Sequence, residues 1–337
     1  MVYGEYAQSP AVEYTKLLSE NITIPNAKTY LVNSGTEAIE GALKLARRYT
    51  GKKEIIAAHN AYHGNTMGSL SLMDFEERKK PFEPLLPEIS FLDFNQETSI
   101  EKITPQTAAV ILETIQGGAG FIQPQHDFLK KVKQKCEEVG ALLILDEIQP
   151  GFGRTGKLFG SDHMEEKPHI ICLAKGLTGG TLPLAVTACT QELYEAFLSE
   201  DKNKALLHGH SYSGNALGCA SAIANLELLD RPETINQIEN IENLNRQFKE
   251  KIEKSHHYLK TVQEVRHQGT VLAIELKTDE KSGYFNQAAK KIGQYFLKEN
   301  ILIRPLGNVI YLVPPYSSPT DEMKCTFKCI EDFLEIL

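Results

Sequence analysis

Long apolar runs, an excess of positive charge and paired cysteines are all lacking in this sequence. No apolar stretch reaches the roughly 18–20 residues that a helix needs to cross a bilayer. The start of the chain, Met1–Tyr6, has neither the basic nor the apolar region of a signal peptide. These absences predict a cytoplasmic protein that does not associate with membranes. The formal net charge of −8 argues against nucleic-acid binding, because phosphate contacts need clustered lysines and arginines.

The cysteines are scattered, with six in 337 residues, which is not the pattern of a disulfide scaffold. Cys325 and Cys329 are one helical turn apart, and His256 and His257 are adjacent. Neither pair has two further ligands at the spacing that a zinc site requires. We therefore expect no metal, and we interpret the cysteines as reduced thiols in the core.

What is present is an ordinary globular composition, with 42% hydrophobic and 24% charged residues. A chain of 337 residues is longer than the roughly 100–200 residues of a typical domain. Length and composition together predict one large domain and a smaller one.

Short apolar runs alternate with helical patterns in the first two-thirds of the chain, which is typical of βαβ units around a mostly parallel sheet. The runs that we predict as strands are Thr29–Val32, Glu54–Ala58, Ala108–Leu112, Ala141–Leu145, Ile170–Leu173 and Leu184–Ala188. Apolar residues recur at helical spacing in Glu37–Tyr49 and Phe128–Val139. From about Arg231 a long charged helix precedes shorter strands and helices. The pattern predicts an α/β large domain over residues 1–229 and a small α+β domain over residues 230–337.

Two of these apolar runs are each followed by a charged residue, and the two charges are opposite. Asp146 follows Ala141–Leu145, and Lys175 follows Ile170–Ala174. A carboxylate carried to the edge of a sheet by a buried strand is costly unless a cation meets it, although Asp146 alone could equally cap the following loop. Lys175 precedes a glycine-rich segment that is unusual for ordinary packing. We expect the Lys175 side chain to be buried, like that of Asp146. Such a lysine suits nucleophilic chemistry, and ligands of parallel sheets bind at this edge.

Two further motifs follow strands. Asn33–Glu40 opens a helix, where bare amides and the helix dipole can seat a phosphate; a plain helix cap is the alternative. Tyr62 and His63 follow the strand Glu54–Ala58, where an aromatic side chain could stack on a flat ring. Taken alone, this pair could be an ordinary loop.

Together these motifs resemble the class III (subgroup II, ornithine-type) aminotransferases, which have the fold of type I enzymes dependent on pyridoxal 5′-phosphate (PLP). The resemblance covers nearly the whole chain. The matching stretches are Asn33–Ala38, Tyr62–Gly64, Glu113 with Gln116 and Gly117, Leu145–Gly156 and Lys175–Gly180. The resemblance implies a large domain with a mostly parallel mixed sheet, a smaller C-terminal α+β domain and PLP as cofactor.

Residue by residue, the resemblance implies that Lys175 carries PLP as a Schiff base and that Asp146 pairs with its pyridine nitrogen. It also implies that Ser211 reaches the phosphate of a partner subunit, so that a homodimer shares its active sites. The remaining cofactor-binding residues implied are Ser34, Gly35, Thr36, Tyr62, His63, Glu113, Ile148 and Gln149. The reaction expected is a ping-pong transfer from a small amino donor to a keto acceptor.

The second half of the chain most resembles the branch of the family that serves biotin biosynthesis, through Cys172–Leu184, His208–Asn215 and Arg304–Tyr316. In that branch Arg304 would bind the substrate carboxylate and Tyr311 would line the pocket. The first half is more similar to acetylornithine and ω-aminotransferases that use 2-oxoglutarate. The family's N-terminal segment, which lines the substrate site, is expected to be missing. A catalytically impaired homologue is therefore a further alternative.

Overall fold

The computed structural model describes residues 6–280 and 282–337. Residues 1–5, where the predicted large domain begins, lie outside the described residues. The chain divides into two compact units. Unit 1 comprises the chain up to Ile115, Pro124–Phe152 and Phe159–Leu228. Unit 2 comprises Gln116–Gln123, Gly153–Leu158 and Leu229–Leu337. The first two of these segments lie in the first half of the chain, and nothing in the strand and helix pattern indicates their assignment to unit 2.

Unit 1 contains a seven-stranded sheet in the order β1-β7-β6-β5-β4-β2-β3. Its strands are β1 (Lys28–Val32), β2 (Glu54–Ala58), β3 (Ser90–Leu92), β4 (Thr107–Glu113), β5 (Leu142–Asp146), β6 (Ile170–Leu173) and β7 (Ala185–Cys189). Strand β7 pairs antiparallel with both β1 and β6, whereas the pairs among β2 to β6 are parallel. The predicted α/β fold with a mostly parallel mixed sheet is confirmed.

Unit 1 also contains seven α-helices among the described residues. They are α1 (Ser9–Asn21), α2 (Gly35–Thr50), α3 (Met67–Ser71), α4 (Glu76–Lys79), α5 (Phe128–Val139), α6 (Gln191–Glu195) and α7 (Ala216–Leu229). Helix α2 begins where it does because the Ser34 hydroxyl accepts a hydrogen bond from the backbone N–H of Glu37 at 3.3 Å. Its buried face, including Ala38, Ile39 and Ala42, packs into the main core.

The register of the strands places the polar residues that end β4 and β5, or follow β6, at one edge of the sheet. Glu113 and Asp146 are direct partners at the ends of the parallel strands β4 and β5. Asp146 is also the register partner of Cys172 in β6. Lys175 comes three residues after Cys172 in the chain, and so it follows the end of β6 at the edge where Asp146 lies. Because parallel strands end at one edge, side chains from separate strands meet there.

Unit 2 contains a three-stranded antiparallel sheet in the order β10-β9-β8. Its elements are α8 (Pro232–Lys254), β8 (Val262–Gln268), β9 (Val271–Leu276), α9 (Ala288–Lys298), β10 (Val309–Leu312) and α10 (Thr320–Glu335). Helices and sheet share one core that includes Phe248, Ile274 and Phe333. Strand β8 was not predicted from the sequence, because only Val262, Val265 and Arg266 among its residues are buried.

Two expectations from composition concern whole classes of residues. Within the described chain no helix combines the length and the apolar character needed to cross a membrane. All six cysteines are free thiols, and five of them are buried. The expectation of core thiols is wrong for Cys325, which is exposed on α10.

Candidate active site

A cavity of about 740 Å³ opens at the carboxyl edge of the large sheet in unit 1. Its volume is in the range of a site for a small molecule or cofactor. Apart from Ser211, all the cofactor-binding residues that the sequence predicts line this cavity: Ser34, Gly35, Thr36, Tyr62, His63, Glu113, Asp146, Ile148, Gln149 and Lys175. They come from the ends of five separate strands or the loops after them.

Asp146 lies at the floor of the cavity and is only 3% exposed. One of its oxygens accepts the backbone N–H of Ile148 at 2.9 Å, and the other lies 2.7 Å from Nδ1 of His63. Burial by itself lowers the pKa of His63, but the hydrogen bond and charge of Asp146, with the charge of Glu113, outweigh it and raise that pKa. The contact with Asp146 therefore favours the protonated form of the His63 imidazole.

His63 has one ring nitrogen in use and one buried without a partner among the described residues. Its side chain is 2% exposed, and no hydrogen bond satisfies its Nε2. A buried polar atom without a partner is unusual in a folded protein. Here it belongs to a residue that lines the cavity.

Glu113 and Tyr62 form the neighbouring part of the wall. Glu113 is 3% exposed, and its carboxylate accepts the backbone N–H of Tyr62 at 3.1 Å. The Tyr62 ring is partly open to solvent, and its hydroxyl accepts a hydrogen bond from Asn65 at 3.0 Å. The backbone of Tyr62 is thus fixed to the sheet while its ring stays available for stacking.

The N-terminus of α2 forms the opposite wall. Ser34, Gly35 and Thr36 line the cavity, and their position at the start of a 16-residue helix leaves backbone N–H groups free to bind an anion. Gly35 is required by close approach, because a Cβ there would lie 2.8 Å from Cδ1 of Ile148. The absent side chain keeps this corner of the cavity open.

Lys175 stands at the start of the glycine-rich segment with a left-handed backbone, φ 48°. Such a conformation is uncommon for a residue other than glycine and is characteristic of functional sites. The sequence predicted a buried side chain here, and that prediction is wrong: Lys175 is exposed, since it lines the open cavity. Asn225 of α7 holds this segment by donating to the carbonyl oxygen of Gly176 at 2.7 Å.

Glu147, directly after Asp146, is fully buried and accepts backbone N–H groups of Gly160 and Ser161 at 2.7 and 2.5 Å. Burial outweighs these hydrogen bonds and raises its pKa to about 7. Sequence reasoning assigned no function to this carboxyl group. It ties the end of β5 to residues 160 and 161, and so it stabilises the chain around Asp146.

Three of the predicted site residues lie elsewhere. Ser211 is exposed in unit 1 and does not line the cavity. Arg304 and Tyr311 line a separate cavity of about 790 Å³ in unit 2. There the Tyr311 ring lies 5.0 Å from the ring of Phe121, and burial raises the Tyr311 pKa against the opposing charge of Arg304.

Residues 180–184 and Asn225 were missed by sequence reasoning. The former line the cavity beyond Lys175, and the positive φ angles of Gly179 and Gly180 turn the chain there. The glycine-rich run was visible in the sequence and could have indicated them. Asn225 gives no such signal, because it is one polar residue within a helix.

The family model for class-III aminotransferases matches residues 1–334 of this chain. The adenosylmethionine-8-amino-7-oxononanoate aminotransferase of Synechococcus elongatus is 34% identical over 354 residues, which cover 98% of this chain and 81% of that protein. The acetylornithine aminotransferase of Methanopyrus kandleri is 36% identical over 330 residues, covering 98% and 80%. The crystal structure of adenosylmethionine-8-amino-7-oxononanoate aminotransferase from Methanocaldococcus jannaschii superposes with a TM-score of 0.90 at 34% identity, covering 99% and 81%.

Proposed function

The chain belongs to the class-III aminotransferase family, and on that premise we propose that it aminates 8-amino-7-oxononanoate with adenosylmethionine as the amino donor. Members of the family use PLP, and this chain is a PLP-dependent transaminase. Its substrates are therefore a small amino donor and a small keto acceptor. The identity of these two molecules is the part that we propose.

The cavity of unit 1 has the donor set that PLP requires. A phosphate suits the free N–H groups at the start of α2. A flat ring suits the space between Tyr62 and Ile148, and the pyridine nitrogen suits the buried Asp146. The absent side chain of Gly35 leaves room for such a group beside Ile148.

When bound, the cofactor supplies an electron sink for the carbanion of the substrate. Asp146 would hold a proton on the pyridine nitrogen, which keeps the ring electron-poor. The support for this role is that Asp146 is buried and oriented by two hydrogen bonds, one from Ile148 and one with His63. Preorganised charge in a site with little water is more effective than the same charge in solvent.

Lys175 would bind the cofactor and then move a proton at its Nζ between the substrate carbon and the cofactor carbon. Among the described residues no carboxylate forms an ion pair with Lys175, so its amino group is available to react. The segment 175–180 would keep that amino group in place, since the side chain of Asn225 donates hydrogen bonds to the carbonyl oxygens of Gly176 and Leu177.

The observation that supports a substrate with a carboxylate is Arg304 in the cavity of unit 2. Arg304 is exposed and lines that cavity with Tyr311, and no carboxylate of the described residues pairs with it. A free guanidinium suits the distal carboxylate of 8-amino-7-oxononanoate, because its planar fork can bind a carboxylate in a bidentate manner. The relatives that carry this name in Synechococcus and Methanocaldococcus support the same assignment.

A second candidate is an acetylornithine aminotransferase with 2-oxoglutarate as acceptor. It is favoured by the relative in Methanopyrus, which is 36% identical over 98% of this chain. Arg304 suits the carboxylate of 2-oxoglutarate as well, so the arginine alone does not separate the two candidates.

The deciding experiment offers both substrate pairs to the PLP-loaded protein. We expect adenosylmethionine to abolish the visible absorbance of the bound cofactor and 8-amino-7-oxononanoate to restore it. Loss of absorbance with acetylornithine alone, restored by 2-oxoglutarate, would reject our assignment in favour of the second candidate. Binding of PLP without reaction with either donor would favour the catalytically impaired homologue.

We further propose a homodimer in which Ser211 of each subunit contributes to the partner's phosphate site. Support comes from the exposure of Ser211 outside the cavity of its own chain. Sedimentation of the PLP-loaded protein tests the dimer, and a Ser211→Ala variant with weaker binding of PLP tests the contact.

A further inference from the structure

We infer that Glu40 is a positioning residue that fastens the loop carrying Tyr62 and His63 to helix α2. This loop, residues 59–66 between β2 and α3, is called the stacking loop below. The inference rests on the proposed function, because it assumes that Tyr62 and His63 contact a bound cofactor. Glu40 lies in the second turn of α2, outside the set of residues to which the sequence assigned a role.

The carboxylate of Glu40 accepts three hydrogen bonds from the end of the stacking loop and the start of α3. Its Oε1 accepts the hydroxyl of Thr66 at 2.5 Å, the backbone N–H of Gly68 at 2.8 Å and that of Ser69 at 3.2 Å. Hydrogen bonds to an ionised acceptor are roughly twice as strong as those between neutral groups. One side chain of α2 thus fixes several backbone and side-chain donors of a different segment.

Gly68 is the position that makes this contact possible. A Cβ at residue 68 would lie 2.2 Å from Oε2 of Glu40 and 2.8 Å from its Cδ. The φ of Gly68 is not in the left-handed region, so the backbone does not require a glycine there. The approach of the Glu40 carboxylate is therefore the reason for a glycine at this place.

The stacking loop has anchors at both ends. At its start, Asp74 binds Nδ1 of His59 at 2.8 Å and the backbone N–H of Asn60 at 2.9 Å. In its middle, Glu113 binds the N–H of Tyr62 and Asp146 binds His63. At the other end, Thr36 and Glu40, one turn apart on α2, bind Thr66 and residues 68 and 69. Because Glu113 and Asp146 line the cofactor cavity themselves, Asp74 and Glu40 are the two anchors that act on the loop from outside that cavity.

The position of Glu40 predicts how its loss should affect the binding of two related ligands. The stacking loop would contact the ring of the cofactor, whereas the start of α2 would bind its phosphate. Loss of Glu40 should therefore weaken binding of PLP and of pyridoxal, which lacks the phosphate, by the same factor. We expect about a tenfold rise in both dissociation constants for Glu40→Ala, the effect of losing one charged acceptor.

The test uses Glu40→Ala, Glu40→Gln and Gly68→Ala in the full chain. Glutamine retains a neutral acceptor, so it should restore part of the affinity. Gly68→Ala should disrupt the same contact, because its Cβ would occupy the space of the Glu40 carboxylate. The substitution should not weaken helix α3 itself, since alanine is a better helix former than glycine. Matched controls are Glu77→Gln, at an exposed position on α4, and Gly293→Ala, where a Cβ meets only ordinary contacts.

Two measurements separate the inference from the proposed function. Hydrogen exchange of the apoprotein should show faster exchange at residues 68 and 69 in Glu40→Ala and Gly68→Ala, and unchanged exchange in the controls. Equal exchange in wild type and Glu40→Ala would overturn the inference whatever ligand the protein binds. Weakened binding of PLP with unchanged binding of pyridoxal would overturn it too, since it would assign Glu40 to the phosphate. If wild-type protein binds no PLP at all, the proposed function fails, and the exchange result still decides the contact.

Discussion

The cavity of unit 1 and the cavity of unit 2 are built in different ways. The first is bordered by buried carboxyl groups at strand ends, and Asp146 and Glu113 are each 3% exposed and hydrogen bonded to the loop that carries Tyr62 and His63. The second is bordered by the loop before β10 and by α10, and its cation, Arg304, is exposed and has no ion-pair partner among the described residues.

This difference matches the division of labour that we propose. Chemistry common to a family needs fixed charges, and buried groups on strands supply them. Choice of substrate needs groups that can change without damage to the core, and exposed residues on loops allow that. We therefore expect substitutions in the first cavity to affect every substrate and substitutions in the second to affect only some.

The largest effect is expected at Lys175. Lys175→Ala should lower the rate of amino transfer at least about a thousandfold, because both the nucleophile and the proton-transfer group are lost. Steady-state kinetics with both substrate pairs measure it, with Lys53→Ala at an exposed position as the matched control. Full turnover in Lys175→Ala would show that the reaction does not take place in the cavity of unit 1.

A smaller loss, by a factor of about 100 to 1000, is expected for Asp146→Asn, the cost of removing one preorganised electrostatic contact. The amide cannot stabilise a proton on the pyridine nitrogen, and it no longer raises the pKa of His63. The fall in kcat should be the same with every donor, and Asp230→Asn serves as an exposed control. A fall confined to one donor would contradict the division between the cavities.

The buried Glu147 gives a prediction for stability. Its pKa lies at about 7 instead of 4.5, so ionisation is unfavourable in the folded protein. The stability that goes with the neutral form is fully present below pH 4.5 and is lost as the pH rises through about 7. The free energy of unfolding of the wild type should fall by up to about 3 kcal/mol over this interval.

Urea unfolding between pH 5 and pH 8 checks this prediction. In Glu147→Gln this component of the pH dependence should disappear, whereas Glu227→Gln at an exposed position should keep it. If the two variants follow the same pH profile, burial does not control the ionisation of Glu147.

The smallest effect is expected in unit 2. Arg304→Lys keeps the charge and loses the planar fork, so the KM of the keto acceptor should rise about tenfold. The half-reaction with the amino donor should not change, which single-turnover measurements can establish. Arg231→Lys is the exposed control. A loss of kcat equal for all substrates would mean that the two cavities are not separate in function.

Six of the seven strands of the large sheet were predictable because each is a short, mainly apolar run. Glu54–Ala58 and Ile170–Leu173 have the bounds that the sequence predicts, and the other predicted strands of that sheet differ by one residue at one end or at both. Strands β3 and β8 were not predicted, since one has three residues and the other is largely polar. Their pairing partners, not their own patterns, determine these strands.

The sequence by itself determined that Asp146 and Lys175 stand at strand ends of an α/β sheet, because hydrophobic periodicity and glycine placement are local properties of the chain. Only the tertiary structure decided that His63 meets Asp146, that Glu113 lies beside it and that Glu40 binds the stacking loop. It also decided that Lys175 is open to the cavity. These contacts join residues far apart in sequence, and they depend on the order and register of the strands, which no local pattern encodes.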